Sequence, residues 1–90
     1  MPSLHVPSLM KFYLDGQTDI EIDGATIAVA LNDLILRFPA IKFHLFDKKG
    51  EIRRHINLFI NENNIKELDG INTPINKDDR ITIVPSISGG

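Results

Sequence analysis

Thr26-Ile27-Ala28-Val29-Ala30-Leu31-Asn32-Asp33-Leu34-Ile35-Leu36-Arg37-Phe38-Pro39 is the stretch of this chain that reads as a full helix, and it decides the fold. Ile27, Leu31, Leu34 and Phe38 recur at spacings of four, three and four, which lays one apolar stripe along a helix. Asn32, Asp33 and Arg37 fall off that stripe. Thr26 stands where an N-cap is wanted, because its hydroxyl oxygen can take one of the N–H groups that a helix start leaves unpaired. Pro39 cannot continue the ladder, so the helix is predicted over residues 27–37, with a further short helical turn within Ile41 to Phe46.

On either side the periodicity changes from 3.6 to two. Towards the N-terminus, Leu4 to Met10, interrupted by Pro7, and Asp19-Ile20-Glu21-Ile22-Asp23 read as two strands. Asp15-Gly16 between them suits positive φ, which predicts a hairpin with a loose loop over Lys11 to Gln17. Towards the C-terminus, Arg54-His55-Ile56-Asn57-Leu58-Phe59-Ile60-Asn61 follows the turn Lys48-Lys49-Gly50 and puts Ile56, Leu58 and Ile60 on one face. After a turn at Glu62-Asn63-Asn64, Ile65 to Leu68 reads as a short strand. The last strand, Arg80-Ile81-Thr82-Ile83-Val84, turns Ile81 and Ile83 inward and Thr82 and Val84 outward before Pro85 stops it.

Hairpin, helix, strand, short strand, strand is the order of an α+β, β-grasp (ubiquitin-like) domain, a mixed sheet whose inner face is covered by one main helix. The expected division is a β-grasp domain over residues 1–85 and a flexible Gly-Gly tail over 86–90. Ile56, Leu58, Ile60, Ile81 and Ile83 are expected in the core.

The chain's 90 residues carry 12 acidic and 10 basic side chains, a formal net charge of −2, and no cysteine. A domain this small buries about 60% of its unfolded surface, which leaves little room for an enclosed active site. That argues against a self-contained enzyme. The charge balance lacks the basic footprint of a nucleic-acid binder, and no apolar run reaches the ~18–20 residues of a membrane span. Neither partner is expected. Met1-Pro2-Ser3-Leu4-His5 lacks the pattern of a secretory signal, so the expected location is cytoplasmic. Without cysteine there is neither a thiolate nucleophile nor a disulfide, and any sulfur handled must be attached from outside.

The usual catalytic constellations are missing. His5, His44 and His55 have no metal-ligand spacing, and Asp78-Asp79 reads as a solvated turn. Arg53-Arg54 beside His55 is at best a secondary contact spot. What remains is Ser86-Ile87-Ser88-Gly89-Gly90. The final glycine pair closes no turn and caps no helix. Without Cβ atoms it makes a thin ribbon that could carry a terminal carboxylate through a narrow channel to another protein's bound nucleotide.

Three segments carry a resemblance that spans nearly the whole chain. Ile81-Thr82-Ile83-Val84-Pro85-Ser86-Ile87-Ser88-Gly89-Gly90, His55-Ile56-Asn57-Leu58-Phe59-Ile60-Asn61 and Leu68-Asp69-Gly70-Ile71-Asn72-Thr73-Pro74-Ile75 resemble the MoaD/ThiS ubiquitin-like sulfur-carrier family, and its CysO-like branch most. Departures are mild: Asn76-Lys77-Asp78-Asp79 replaces a common Asp-Gly turn, and Ser86 and Ser88 stand where alanine is common. The resemblance implies a protein co-substrate with no cofactor of its own. An E1-like adenylyltransferase would use ATP to activate Gly90, and a sulfur donor would convert it to a thiocarboxylate, with Gly89, Ser88 and Ile87 as the approach. In the CysO-like branch a PLP-dependent cysteine synthase would accept the sulfur, and a zinc metalloprotease would release the cysteine formed. The alternatives are a molybdopterin synthase small subunit, a carrier for thiazole synthesis, a ubiquitin-like protein modifier, or an interaction module with an inert tail. Phe59, Thr82 and Val84, on the sheet face away from the helix, are the expected docking residues.

Overall fold

Helix α1 runs Ile27–Arg37 in the computed structural model, which describes residues 1–86. The Thr26 hydroxyl oxygen accepts the Val29 N–H at 3.3 Å, the expected cap, worth about 1 kcal/mol. Ile27, Leu31 and Leu34 are buried, together with Ala30, while Phe38 is half-buried at the helix end beneath the Arg37 guanidinium. Arg37 also donates to the Glu21 carbonyl at 2.6 Å, pinning the helix end to the sheet edge. The helix start is held from the other side, where the Ile27 N–H donates to the Thr73 carbonyl and the Ile75 N–H to the Ala25 carbonyl. Thr73, a buried polar side chain in this clamp, donates to the Gly70 carbonyl and accepts the Asp69 N–H.

The sheet has five strands: β1 (Ser3–His5), β2 (Asp19–Glu21), β3 (Ile56–Ile60), β4 (Asn63–Asn64) and β5 (Arg80–Pro85). Their spatial order is β2-β1-β5-β3-β4. β5 is the central strand, parallel to β1 and antiparallel to β3. That is the β-grasp plan, with the expected core isoleucines and leucine all buried. A four-residue helix α2 (Lys42–Leu45) follows a 3-10 turn at Pro39–Ile41, where a short helical turn was expected.

Two strand expectations fail. Leu4 to Met10 is not a strand: β1 ends at His5, and Ser8–Tyr13 winds into a 3-10 helix after Pro7, whose fixed φ opens it. The hairpin pairing survives, and the Val6 N–H still reaches the Thr18 carbonyl at 2.8 Å, so the connection is longer than the loop expected at Lys11–Gln17. Its turn does use positive φ at Asp15 and Gly16. Ile65 to Leu68 is likewise a 3-10 turn, Ile65–Glu67, capped by the Asn64 side chain, which accepts the Lys66 N–H at 2.9 Å. Asn63–Asn64 alone pair with β3 there. Smaller shifts occur at strand ends: Arg54 and His55 lie in the turn before β3, and Pro85 is the last residue of β5, opposite Ile56.

Asp79 organises the entry to β5. Its carboxylate accepts the Asn76 N–H at 2.8 Å and the Asn61 amide at 2.9 Å, and these bonds hold its pKa below the ordinary carboxylate value. A group whose native pKa is depressed contributes stability above its unfolded value and loses it as the pH falls through the native one. Asp79→Ala is therefore expected to melt below the parent protein at neutral pH. The gap should begin to narrow at about pH 4, the ordinary carboxylate value, and keep closing as the pH falls through the lowered native one. Thermal melts across that range check this, and a gap independent of pH would show that the carboxylate charge contributes nothing.

Candidate functional site

The outer face of the sheet is set by the register of its middle strands. Phe59 of β3 lies opposite Thr82 of β5, and Val84 lies opposite Asn57. His5 of β1 pairs with Thr82 from the other side, and Asp19 of β2 pairs with His5. The row Asp19, His5, Thr82, Phe59, Asn64 therefore crosses the whole sheet. Phe59 and Thr82 are half-buried by these neighbours, and Val84 is 40% exposed. The structure thus brings the three expected docking residues together on one face.

The polar end of the row is satisfied within itself. The His5 ring lies 2.9 Å from the Asp19 carboxylate, which also receives the Thr18 hydroxyl and the Arg80 guanidinium. The hydrogen bond from His5, followed by that from Thr18, lowers the pKa of Asp19. This pair is exposed and shapes the surface.

The described residues hold no cluster of three or more His, Asp or Glu side chains able to bind a metal ion, and no buried side-chain nitrogen or oxygen without a partner. Arg53, the basic contact candidate, donates from Nε to the Phe43 carbonyl at 2.8 Å and so ties α2 to the approach to β3. Asp79 is occupied by its turn. No helix of the described residues is long and apolar enough to cross a membrane.

β5 is the strand that precedes the expected tail. It crosses the middle of the sheet with Ile81 and Ile83 anchored in the core, and the chain is still bonded to the sheet at Ser86, whose N–H donates to the His55 carbonyl at 2.6 Å. Of the expected tail, Ile87, Ser88, Gly89 and Gly90 lie outside the described residues.

The two elements whose residues line the groove beside Pro85 also carry exposed apolar side chains that the alternation pattern does not flag. Leu9 and Phe12, on the 3-10 helix Ser8–Tyr13, and Phe43, on α2, are 81%, 75% and 72% exposed. Tyr13 stacks on His44 with ring centroids 4.0 Å apart, which sets these two elements side by side. The signal available was the failure of Ser8-Leu9-Met10-Lys11-Phe12-Tyr13 to alternate, which argues against a strand.

The model of the ThiS family matches residues 10–90. Sulfur carrier protein CysO of Mycobacterium tuberculosis is 26% identical over 90 residues, spanning 98% of this chain and 97% of that protein. A chain of the Amycolatopsis orientalis BexX/CysO complex superposes with a TM-score of 0.90 at 24% identity, covering 100% of both chains. The small archaeal modifier protein 1 of Methanosarcina acetivorans superposes with a TM-score of 0.84 at 29% identity, covering 99% of this chain and 95% of that one. With the β-grasp sheet, the β3 and β5 segments and these matches in agreement, the chain belongs to the ThiS family, within the ubiquitin-like MoaD/ThiS sulfur-carrier group and on its CysO-like side.

Proposed function

We propose that this protein is a sulfur carrier, a co-substrate whose reacting group is the α-carboxylate of Gly90. The observation that carries the reading is the continuity of β5, the central strand, into a sequence ending Gly89-Gly90, together with a family match that runs to residue 90. The core fixes Ile81 and Ile83, so a partner that grips the sheet also fixes where the tail begins.

In the proposed cycle an E1-like adenylyltransferase binds the carrier and ATP. A carboxylate oxygen of Gly90 attacks the α-phosphorus, pyrophosphate leaves, and an acyl adenylate forms. An α-carboxyl group has an ordinary pKa of about 3.5, so it is already the required anion at neutral pH. Sulfide, or a persulfide donor with a reductant, then attacks the carbonyl carbon. AMP leaves, and Gly90 carries a thiocarboxylate. The likeness to CysO supports a proposed delivery to an activated serine derivative on a PLP-dependent cysteine synthase, as a step of cysteine biosynthesis. The pockets, the nucleotide and the sulfur source belong to partners, and the carrier contributes a reactive end and an address.

Intact-mass measurement tests this. Incubation with ATP, sulfide and the E1-like enzyme of the same organism should give a species heavier by the exchange of one oxygen for one sulfur. The likeness to small archaeal modifier protein 1 supports a second reading, a protein modifier, for which a protein-sized adduct through Gly90 is expected instead. No change in mass would overturn both.

The address is the face bearing Phe59, Thr82 and Val84. Phe59→Asp places a charge opposite Thr82 and is expected to weaken binding to the adenylating enzyme roughly tenfold or more, as loss of an aromatic anchor does. The melting temperature should move little, because Phe59 points out of the core. Unchanged binding in titration calorimetry would place the interface elsewhere.

A further inference from the structure

We propose that the apolar rim around the tail exit, formed by Leu9 and Phe12 of the 3-10 helix Ser8–Tyr13 and by Phe43 of α2, is a second contact surface for the enzyme that modifies Gly90. This rests on the sulfur-carrier reading and adds a surface separate from the Phe59 face.

The reach of the tail limits where the enzyme can sit. The last fixed point is Ser86, bonded to the His55 carbonyl. Gly90 is the fourth residue after it, and those four residues, fully extended, span at most about 14 Å. An enzyme that brings a nucleotide to the Gly90 carboxylate must therefore come within about 14 Å of Ser86. A protein-sized body cannot do so without covering the ground next to the exit. That ground is a groove of about 210 Å³ whose lining includes Pro7, Leu9, Tyr13, His44, His55 and Pro85.

The composition of this ground states the chemistry of the partner. No Asp, Glu, Lys or Arg lines the groove. Leu9 lines the groove itself, and Phe12 and Phe43, on the two elements that meet at the Tyr13–His44 stack, are like it more than 70% exposed. Their outward position contributes nothing to the core, whereas covering them on docking removes apolar surface from water. The complementary surface on the enzyme is an apolar lip around the mouth of the channel that admits the tail. This lip seats the body of the carrier, while the channel itself selects the glycines.

The test is steady-state adenylation, followed as pyrophosphate release with ATP and the E1-like enzyme of the same organism. Leu9→Ser, Phe12→Ser and the pair are compared with Val29→Ser, which removes an exposed apolar residue from the first turn of α1. The rim variants should raise KM for the carrier roughly tenfold, as expected for anchor residues. Their kcat and melting temperatures should stay near the parent values, and Val29→Ser should leave KM unchanged. Parent-like KM in the double variant, with Phe59→Asp still impaired, would overturn the rim and leave the carrier reading intact. A parent chain that releases no pyrophosphate would overturn the carrier reading, and the rim with it.

Discussion

Deleting Gly90 is expected to abolish sulfur loading by at least a hundredfold while leaving the domain folded. A glycine has no side chain to bury, so its loss removes no core contact, and residues 1–86 already close the sheet through the Ser86 bond to His55. The chemical effect is large because of geometry. The new carboxylate, on Gly89, is set back by one residue, about 3.5 Å. Reacting atoms must approach to about 3–3.5 Å in alignment, and a misplacement of about 1 Å can already cost a hundredfold in rate. The carrier cannot compensate by sliding forward, since β5 is locked in register between β1 and β3 and its isoleucines are seated in the core.

The same deletion separates two accounts of the glycine pair. If the pair served only to give a slim tail, the shortened chain would still present a carboxylate on glycine and would load at an appreciable rate. If position is what the enzyme reads, loading is lost although the chemistry of the end is unchanged. Intact-mass kinetics of the parent, the deletion and a Gly90→Ala variant resolve this. Gly90→Ala keeps the length and adds one Cβ, so it is expected to load slowly but measurably, between the other two. A deletion that acquired sulfur at Gly89 as fast as the parent would mean that the proposed channel does not measure the tail.

What the sequence made legible follows from how strongly each segment is patterned. The stripe of Ile27, Leu31 and Leu34, with Thr26 before it and Pro39 after it, determines α1 to the residue. Ile56, Leu58 and Ile60 alternate without interruption and are buried as read, and so are Ile81 and Ile83. The two segments misread as strands are short apolar runs in which periodicity cannot choose between an extended and a tightly wound chain. In Leu4 to Met10 the run hides a change of geometry at Pro7, and Val6 and Met10 are buried from quite different backbone conformations. In Ile65 to Leu68 a single buried anchor, Ile65, holds a turn whose other residues are exposed. The shared outward face of Phe59, Thr82 and Val84 could be read because period two alone separates these residues from the core. The rim of Leu9, Phe12 and Phe43 could not, because it depends on the contact between Tyr13 and His44, residues far apart in the chain.

Gly24→Ala should be among the most damaging single substitutions outside the core, lowering stability by about 3 kcal/mol, the upper part of the range for overpacking. A Cβ on residue 24 would lie 2.5 Å from the Ala30 nitrogen and 2.9 Å from both the Ala30 Cα and the Val29 carbonyl carbon. These are backbone atoms in the first turns of α1, so no side-chain rotation relieves the clash. The Ala30 N–H is itself bonded to the Thr26 carbonyl at 2.9 Å, and the Val29 N–H to the Thr26 hydroxyl. Moving the helix away from residue 24 would strain its first hydrogen bond and its cap, as well as the link from Ile27 to Thr73. For a domain of this size about 3 kcal/mol corresponds to a fall of roughly 10–20 °C in Tm. Gly50→Ala supplies the contrast. Gly50 also has a conformation that suits glycine, φ +81°, but an added Cβ there meets nothing within 4 Å. Its cost is only the left-handed backbone penalty, about 1–2 kcal/mol. Thermal or urea unfolding should therefore rank Gly24→Ala well below Gly50→Ala, and the reverse order would mean that α1 can shift away from residue 24 at little cost. Below its lowered Tm, Gly24→Ala should still load sulfur like the parent, because neither the Phe59 face nor the path from β5 to Gly90 passes through the α1 entry. Loss of loading in the folded variant would show that the helix start reaches the proposed site through the sheet.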